Sequence, residues 1–269
     1  MSIKHLTTIL FVAATLTASA DVTFNFDDQT TFDEQWPNQV EFRTGSTVSL
    51  ESSPARVSLL ADVSGGSTPT AAISTAASFS SELDFVSEAK TFTFSNVNFS
   101  MNGGGTSYIG ALGVANSSNP DLLSASGGVS DAVYLQFFRS SNELQLVQKT
   151  NQTNKVVLAT FDVNGYDYST LSLTLTGTTW EVSGTASNSN TISGSGLLDS
   201  EINAGNWGSD FHIALQSRSG YNFAIEGRNA ILSVEEVSAT AIPEASECAL
   251  FLGVIIGHII AFRRFRKRA

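Results

Sequence analysis

The chain has 269 residues, 42% of them hydrophobic, with 14 Lys and Arg against 25 Asp and Glu. That is too apolar for intrinsic disorder, and a charged fraction of 14% is well under the roughly 25% usual in soluble domains; with abundant Gly, Ser and Thr, this fits an exported β protein. Of three His and one Cys, only His212 lies far from both ends, which excludes a Cys/His zinc site, a Cys nucleophile and an intradomain disulfide from the middle of the chain.

At the N-terminus, Lys4 supplies a positive n-region and residues 6–16 an apolar h-region. Ala18-Ser19-Ala20 then offers the small residues that signal peptidase requires. Residues 1–20 therefore read as a signal peptide cleaved between Ala20 and Asp21. The apolar run is shorter than the roughly 20 residues a spanning helix needs, which argues against a retained anchor.

From Asp21 to residue 241 the pattern is that of strands. Leu171, Leu173 and Leu175 alternate with Ser172, Thr174 and Thr176, while Phe211, Ile213 and Leu215 alternate with His212, Ala214 and Gln216. Tyr221, Phe223 and Ile225 keep the same period of two. Further strands are predicted over residues 22–26, 47–50, 57–61, 91–101, 108–114, 132–138, 144–149, 156–161, 179–183 and 231–237. Within 91–101, Phe92 and Phe94 share one parity and Val97, Phe99 and Met101 the other, so a bulge near Ser95-Asn96 is needed to bury both sets. Gly, Ser and Asn clusters at 64–67, 102–105, 124–128 and 187–195 separate the strands. No stretch of comparable length has a helical period, and no Pro-rich linker divides the region. Residues 21–241 are thus expected to form an all-β domain, a single antiparallel β-sandwich. The strand order and the closing strand before residue 242 resemble a concanavalin-like jelly roll, a likeness that implies fold and not activity.

Several groups within this domain are candidates for chemistry. Asp27 and Asp28, with Asp33 and Glu34 nearby, are a candidate structural calcium site, although acidic residues in a polar loop need no metal; no other cofactor is expected. Trp36, Tyr166, Tyr168 and Trp207 lie in or near loops. Among them Trp207, flanked by Asn206 and Asp210, is the leading candidate for stacking a sugar ring, although packing beneath its loop is the favoured reading. Trp180 alternates with Val182 and reads as core. Glu82, Asp84 and Glu88 resemble the carboxylate set of laminarinase-like glycoside hydrolases, but Glu82 and Glu88 on an unbulged strand would stand about 20 Å apart, where a retaining mechanism needs about 5 to 5.5 Å. A solvated loop is the favoured reading. Asp162-Val163-Asn164-Gly165-Tyr166-Asp167 offers oxygens around a Gly, but Asn164-Gly165 is first a turn signal. His212 next to Phe211 reads as a structural histidine.

At the C-terminus, Pro243-Glu244-Ala245 is followed by an apolar stretch over 248–262 and a basic cluster of Arg263, Arg264, Arg266, Lys267 and Arg268. An apolar run closed by positive residues stops translocation and leaves the positive end in the cytoplasm. A helix over 248–262 would be about 22 Å long, short for a roughly 30 Å hydrocarbon core, as suits a temporary anchor. The Pro-Glu pair, polar spacer, short apolar helix and Arg-rich end together resemble the PEP-CTERM sorting signal of Gram-negative bacteria. Ala245 stands where that signal usually has a second Pro, and Cys248 where a Tyr is more common. The resemblance implies recognition of Pro243 and Glu244 by exosortase, a membrane-embedded transpeptidase, and delivery to the cell surface or extracellular matrix. It covers residues 242–269 and is silent about the domain before them.

Between the two processing segments, eight basic residues face twenty-three acidic ones, a net of about −15. No basic patch lies outside the tail, which points away from nucleic acid. The sequence is thus expected to encode an exported, non-catalytic surface protein that binds or structures extracellular polysaccharide. A secreted glycoside hydrolase or polysaccharide lyase is the alternative. Signal peptidase, exosortase and, before processing, the membrane are the other expected partners.

Overall fold

The computed structural model describes residues 21–42, 45–62, 69–102, 108–124, 131–138, 142–163, 165, 167–219 and 229–242. The signal peptide, the sorting motif at Pro243, Glu244 and Ala245, the helix at 248–262 and the basic cluster lie outside these residues, as do Asn164, Tyr166 and the strand expected at 221–225. Among the described residues no helix is long and apolar enough to cross a membrane.

The described strands are β1 (Val22–Asn25), β2 (Asn38–Phe42), β3 (Thr47–Ser52), β4 (Ala55–Asp62), β5 (Thr70–Ser74), β6 (Lys90–Asn102), β7 (Tyr108–Ala115) and β8 (Ala132–Phe138), then β9 (Glu143–Thr150), β10 (Asn154–Asp162), β11 (Asp167–Leu175), β12 (Thr179–Ala186), β13 (Thr191–Leu197), β14 (His212–Arg218), β15 (Asn229–Val234) and β16 (Glu236–Ala241). They form two antiparallel sheets. One runs β13-β12-β11-β6-β15-β4-β3, with β16 joining β1 to β6; the other runs β10-β9-β8-β7-β14-β5-β2. Period-two alternation explains this layering, because each strand turns one parity inward. Leu171, Leu173 and Leu175 of the first sheet and Leu144, Leu146 and Phe137 of the second are all buried in the core between the sheets. Three short helices, α1 (Gln29–Gln35), α2 (Ser80–Leu83) and α3 (Ala204–Trp207), fill the connections.

The parity change expected near Ser95-Asn96 is present and extends beyond β6. Phe92 and Phe94 are buried on one side of it and Val97 and Phe99 on the other, with Asn96 at φ 48° between them. Both neighbouring strands change phase at the same level. Buried Tyr168 is followed by buried Leu171, and buried Val234 by buried Val237. Tyr168 pairs with Val97, and both Leu171 and Val237 pair with Phe94. A phase change in one strand alone would turn its apolar set out to solvent; three matched changes keep every set inside. The mismatch is taken up at β12, where the register with β11 slips between Tyr168 and Thr170.

Three strands escape the sequence pattern. β5 is buried along its whole length, so it has no polar face to alternate. β2, with the burial of an exposed strand, has only Val40 and Phe42 as apolar members. The Gly/Ser-rich separator expected at 187–195 is corrected in part, since residues 191–197 form the edge strand β13. Its glycines are spatial requirements: a Cβ at Gly196 would lie 2.9 Å from Trp180 Cζ2, and one at Gly194 2.9 Å from Phe161 Cε1.

Candidate functional site

Trp207, the leading sugar-stacking candidate, packs inward beneath its loop, the favoured reading of its position. It is 4% exposed, stacked on Phe211 at 6.3 Å and edge-on to Phe85 at 5.4 Å. The reason lies in α3, where Asn203 and Asn206 cap each other reciprocally and turn the tryptophan under the loop. Asn206 spends Oδ1 on the Asn203 N–H and Nδ2 on the Glu201 carbonyl, and Asp210 stands exposed outside the ring cluster. Trp207 thus packs beneath its loop, while Asn206 and Asp210 stay exposed at the capped turn above it. Trp36 and Tyr168 are likewise buried, and Trp180 is core, its Nε1 donating to the Leu197 carbonyl at 3.0 Å.

The acidic candidates have local duties. Asp28 caps α1, accepting from Thr31 N on Oδ1 at 2.9 Å and from Thr31 Oγ1 on Oδ2 at 2.7 Å. These bonds, the backbone one foremost, hold its carboxyl below the usual range. Asp27 lies beside it, exposed, and among the described residues no three of His, Cys, Asp and Glu gather as a metal group. A depressed carboxyl contributes stability above its unfolded pKa and loses it as pH falls through the folded value. Asp28→Ala is therefore expected to destabilise the protein at neutral pH, with the gap from wild type closing in acid. Urea melts across that range check it.

Asp84 closes a turn by accepting from Val86 N, Ser87 N and Ser87 Oγ, and Glu88 pairs with Lys90 at 3.1 Å. These carboxylates occupy α2 and the turn after it rather than one strand. Asp162 ends β10 and Asp167 begins β11, Asp167 accepting from Asn98. His212 is buried, with Nδ1 2.7 Å from the Thr75 carbonyl, as a structural histidine would be.

A different group comes together on the outer face of the seven-stranded sheet. Ala111, Ala115, Ala132, Tyr134, Val147 and Ala214 turn away from the main core, and the loop after β7 brings Leu122 and Leu123 down onto them as a second, smaller core. Polar contacts pin this loop. Gln216 accepts from Leu123 N at 2.8 Å and donates to Asp121 Oδ1 at 2.7 Å, while Ser74 Oγ donates to the Ser118 carbonyl. Lys149, fully buried, donates from Nζ to the Ser124 carbonyl at 2.9 Å, and Lys155 from Nζ to the Leu123 carbonyl at 3.0 Å.

The two lysines are direct cross-strand partners, so their ammoniums converge on consecutive carbonyls. Burial pulls the Lys149 ammonium down, with Asp121 and Asp131 opposing and Arg218 adding to the fall. The Lys155 residue as a whole is exposed, but its ammonium end lies against the loop. Loss of water there pushes it down to about 8, helped by Lys149 and Arg218 and opposed by Asp121. No local motif announces this group, because its members come from β9, β10, β14 and a loop. The available signals were two leucines in an otherwise polar loop, and Lys149 sharing the parity of Val147.

No family model matches the chain, and no curated protein does. Solved structures do match. The lectin UEA-II in complex with galactose gives a TM-score of 0.52 at 11% identity, covering 84% of this chain and 100% of that one. Lectin II from Ulex europaeus gives 0.51 at 11%, again over 84% and 100%. Lectin I-B4 from Griffonia simplicifolia, in a metal-free form, gives 0.51 at 12%, over 83% and 100%. The likeness is one of fold alone. It places the two antiparallel sheets of this chain in the lectin-like sandwich class, in line with the architecture expected from the strand pattern.

Proposed function

We propose that this chain is an exported, non-catalytic polysaccharide-binding protein of the cell surface or extracellular matrix, processed first by signal peptidase and then by exosortase. The observation that carries the binding reading is the lectin-like sandwich, which a lectin in complex with galactose matches over 84% of this chain. The export reading rests on Ala18 and Ala20 before Asp21, and on Pro243 and Glu244 ahead of an apolar run and five basic residues. The non-catalytic reading is supported by Asp84 and Glu88, whose carboxylates are spent on a turn and on Lys90.

Retention of the full chain, in mild detergent, on a panel of neutral and acidic polysaccharide columns tests the binding. Elution from at least one column by its own oligosaccharide is expected, and passage through all of them would overturn it. Mass spectrometry of surface-recovered protein tests the processing: the expected species starts at Asp21 and lacks Arg263 to Arg268.

A further inference from the structure

We infer that β13, which ends one side of the nine-stranded sheet, is a docking edge for a second copy of this chain. The two β13 strands pair antiparallel about a two-fold axis at Gly194, so that the sheet runs on from one copy into the other. An edge strand offers unpaired N–H and C=O groups to any neighbouring chain, and proteins blunt such strands with charge, bulges, shortness or cover. The other end strands are blunted in these ways. In β3, Val48 N donates to Glu41 Oε1 at 2.7 Å, and Glu51 pairs with Arg56. β10 carries Lys155 and Asp162 and breaks register between Val157 and Ala159. β2 has Glu41 within its five residues, and β1 is four residues long. β13 has none of these devices. Its seven residues, Thr191 to Leu197, include no charge and no Pro and keep unbroken register with β12.

The ladder decides which backbone groups are open. Ala186 N donates to the Asn190 carbonyl and Leu198 N to the Thr178 carbonyl. Alternation between these two pairs turns the N–H and C=O of Ile192, Gly194 and Gly196 toward β12, and those of Thr191, Ser193, Ser195 and Leu197 outward. Among the described residues, one bond reaches this outward backbone set: Trp180 Nε1 donates to the Leu197 carbonyl, which keeps a second lone pair. The same four residues are exposed, and Leu197, at 74%, is the most exposed large hydrophobic residue described.

Self-complementarity makes the occupant a second copy. A two-fold axis at Gly194 sets Thr191 opposite Leu197 of the other copy and Ser193 opposite its Ser195. Every such pair joins two residues whose backbone groups point outward, so both can exchange both bonds; a shift of one residue would oppose outward groups with inward ones. The pairing also brings the exposed Leu197 against the Thr191 of the other copy, and sets Ile192 opposite Gly196. Charge selects the same place. With a net charge of about −15, two copies repel one another over most of their surface. The neutral β13, with Glu181 one strand back, lets them approach. Pairing doubles the valency of the domain, so a repetitive polymer would be held at two points; this consequence, unlike the pairing, rests on the polysaccharide reading.

Sedimentation equilibrium of the full chain in mild detergent, across the micromolar range, is expected to show a monomer–dimer equilibrium. The double variant Ser193→Lys/Ser195→Lys, which sets like charges opposite one another across the axis, is expected to dissociate at least tenfold more readily. Both positions are exposed, so its circular dichroism melt should match wild type. Disulfide formation in a Cys248→Ser background reads the register. Thr191→Cys/Leu197→Cys would place thiols on facing strands with Cα atoms about 5.5 Å apart, within the span of a disulfide, while the two positions in one chain stand about 20 Å apart. Oxidation is expected to link the double variant into a covalent dimer and to leave Thr191→Cys and Leu197→Cys unlinked when each is made alone. A monomer at every concentration would overturn the docking edge, as would a dimer that the introduced charges leave unchanged, since its contact lies elsewhere. Either single variant linking as fully as the double would overturn the pairing about Gly194.

Discussion

Trp207→Ala is expected to lower the free energy of unfolding by about 3–5 kcal/mol, the range for truncating a large buried aromatic. Its ring sits in a four-membered aromatic cluster: Trp207 meets Phe85 and Phe211, Phe85 meets Phe211 at 5.4 Å, and Phe85 meets Phe92 at 6.2 Å. The cluster ties α3, the turn after α2, β6 and the approach to β14 together, so no single element can collapse into the hole that truncation leaves. Against a total of about 5–15 kcal/mol for a typical domain, this is a large share. Urea denaturation reads it as a lower midpoint at unchanged slope. Trp207→Phe is expected to cost less, since the indole Nε1 is buried with no hydrogen-bond partner among the described residues and its removal relieves an unpaired donor. Any loss of polysaccharide retention in Trp207→Ala should then track the unfolded fraction. A loss in fully folded protein would instead return the indole to the binding surface.

The contrast between Trp207 and the lysines marks what the sequence could and could not convey. Alternation along β11 identified the inward parity directly, since a half-buried strand has no other way to sort its residues. The two parities around Ser95-Asn96 even located a break in the sheet. That the break continues through Tyr168–Leu171 and Val234–Val237 was visible only once the strands were paired, because a three-residue gap between apolar positions looks like a loop until its neighbours share it. Trp207 turns inward for a local reason, the Asn203–Asn206 cap, and loop composition carries no information on which way a capped turn faces. Lys149 and Lys155 are the opposite case. Each looks like an ordinary solvent-facing charge in its own strand, and their convergence depends on the pairing of β9 with β10 and on the loop that carries Leu122 and Leu123 closing over that face.

That covered face supplies the second large effect, at Gly113. An Ala Cβ at this position would lie 2.3 Å from the Val133 carbonyl oxygen and 2.5 Å from Tyr134 Cα. The obstruction is backbone, directly opposite across β7 and β8, so no rotamer change relieves it and the two strands must separate. Gly113→Ala is expected to cost about 3 kcal/mol, the upper end for overpacking a filled site, and Gly113→Val more. Gly165→Ala is the matched control: among the described residues its Cβ would meet only Asn188 Nδ2, at 3.9 Å, and it should stay within about 0.5 kcal/mol of wild type. The damage at Gly113 should also reach the loop, because Ala111, Ala132 and Tyr134 on the same two strands form the floor on which Leu122 and Leu123 rest. Hydrogen exchange at Leu123 N, which donates to Gln216 Oε1, is the local readout. Faster exchange in Gly113→Ala under conditions where β11 and β6 remain protected would show that the loop loosens before the sandwich unfolds. Exchange at Leu123 that rises only in step with the main sheets would mean that the loop and the two-sheet core open as one unit.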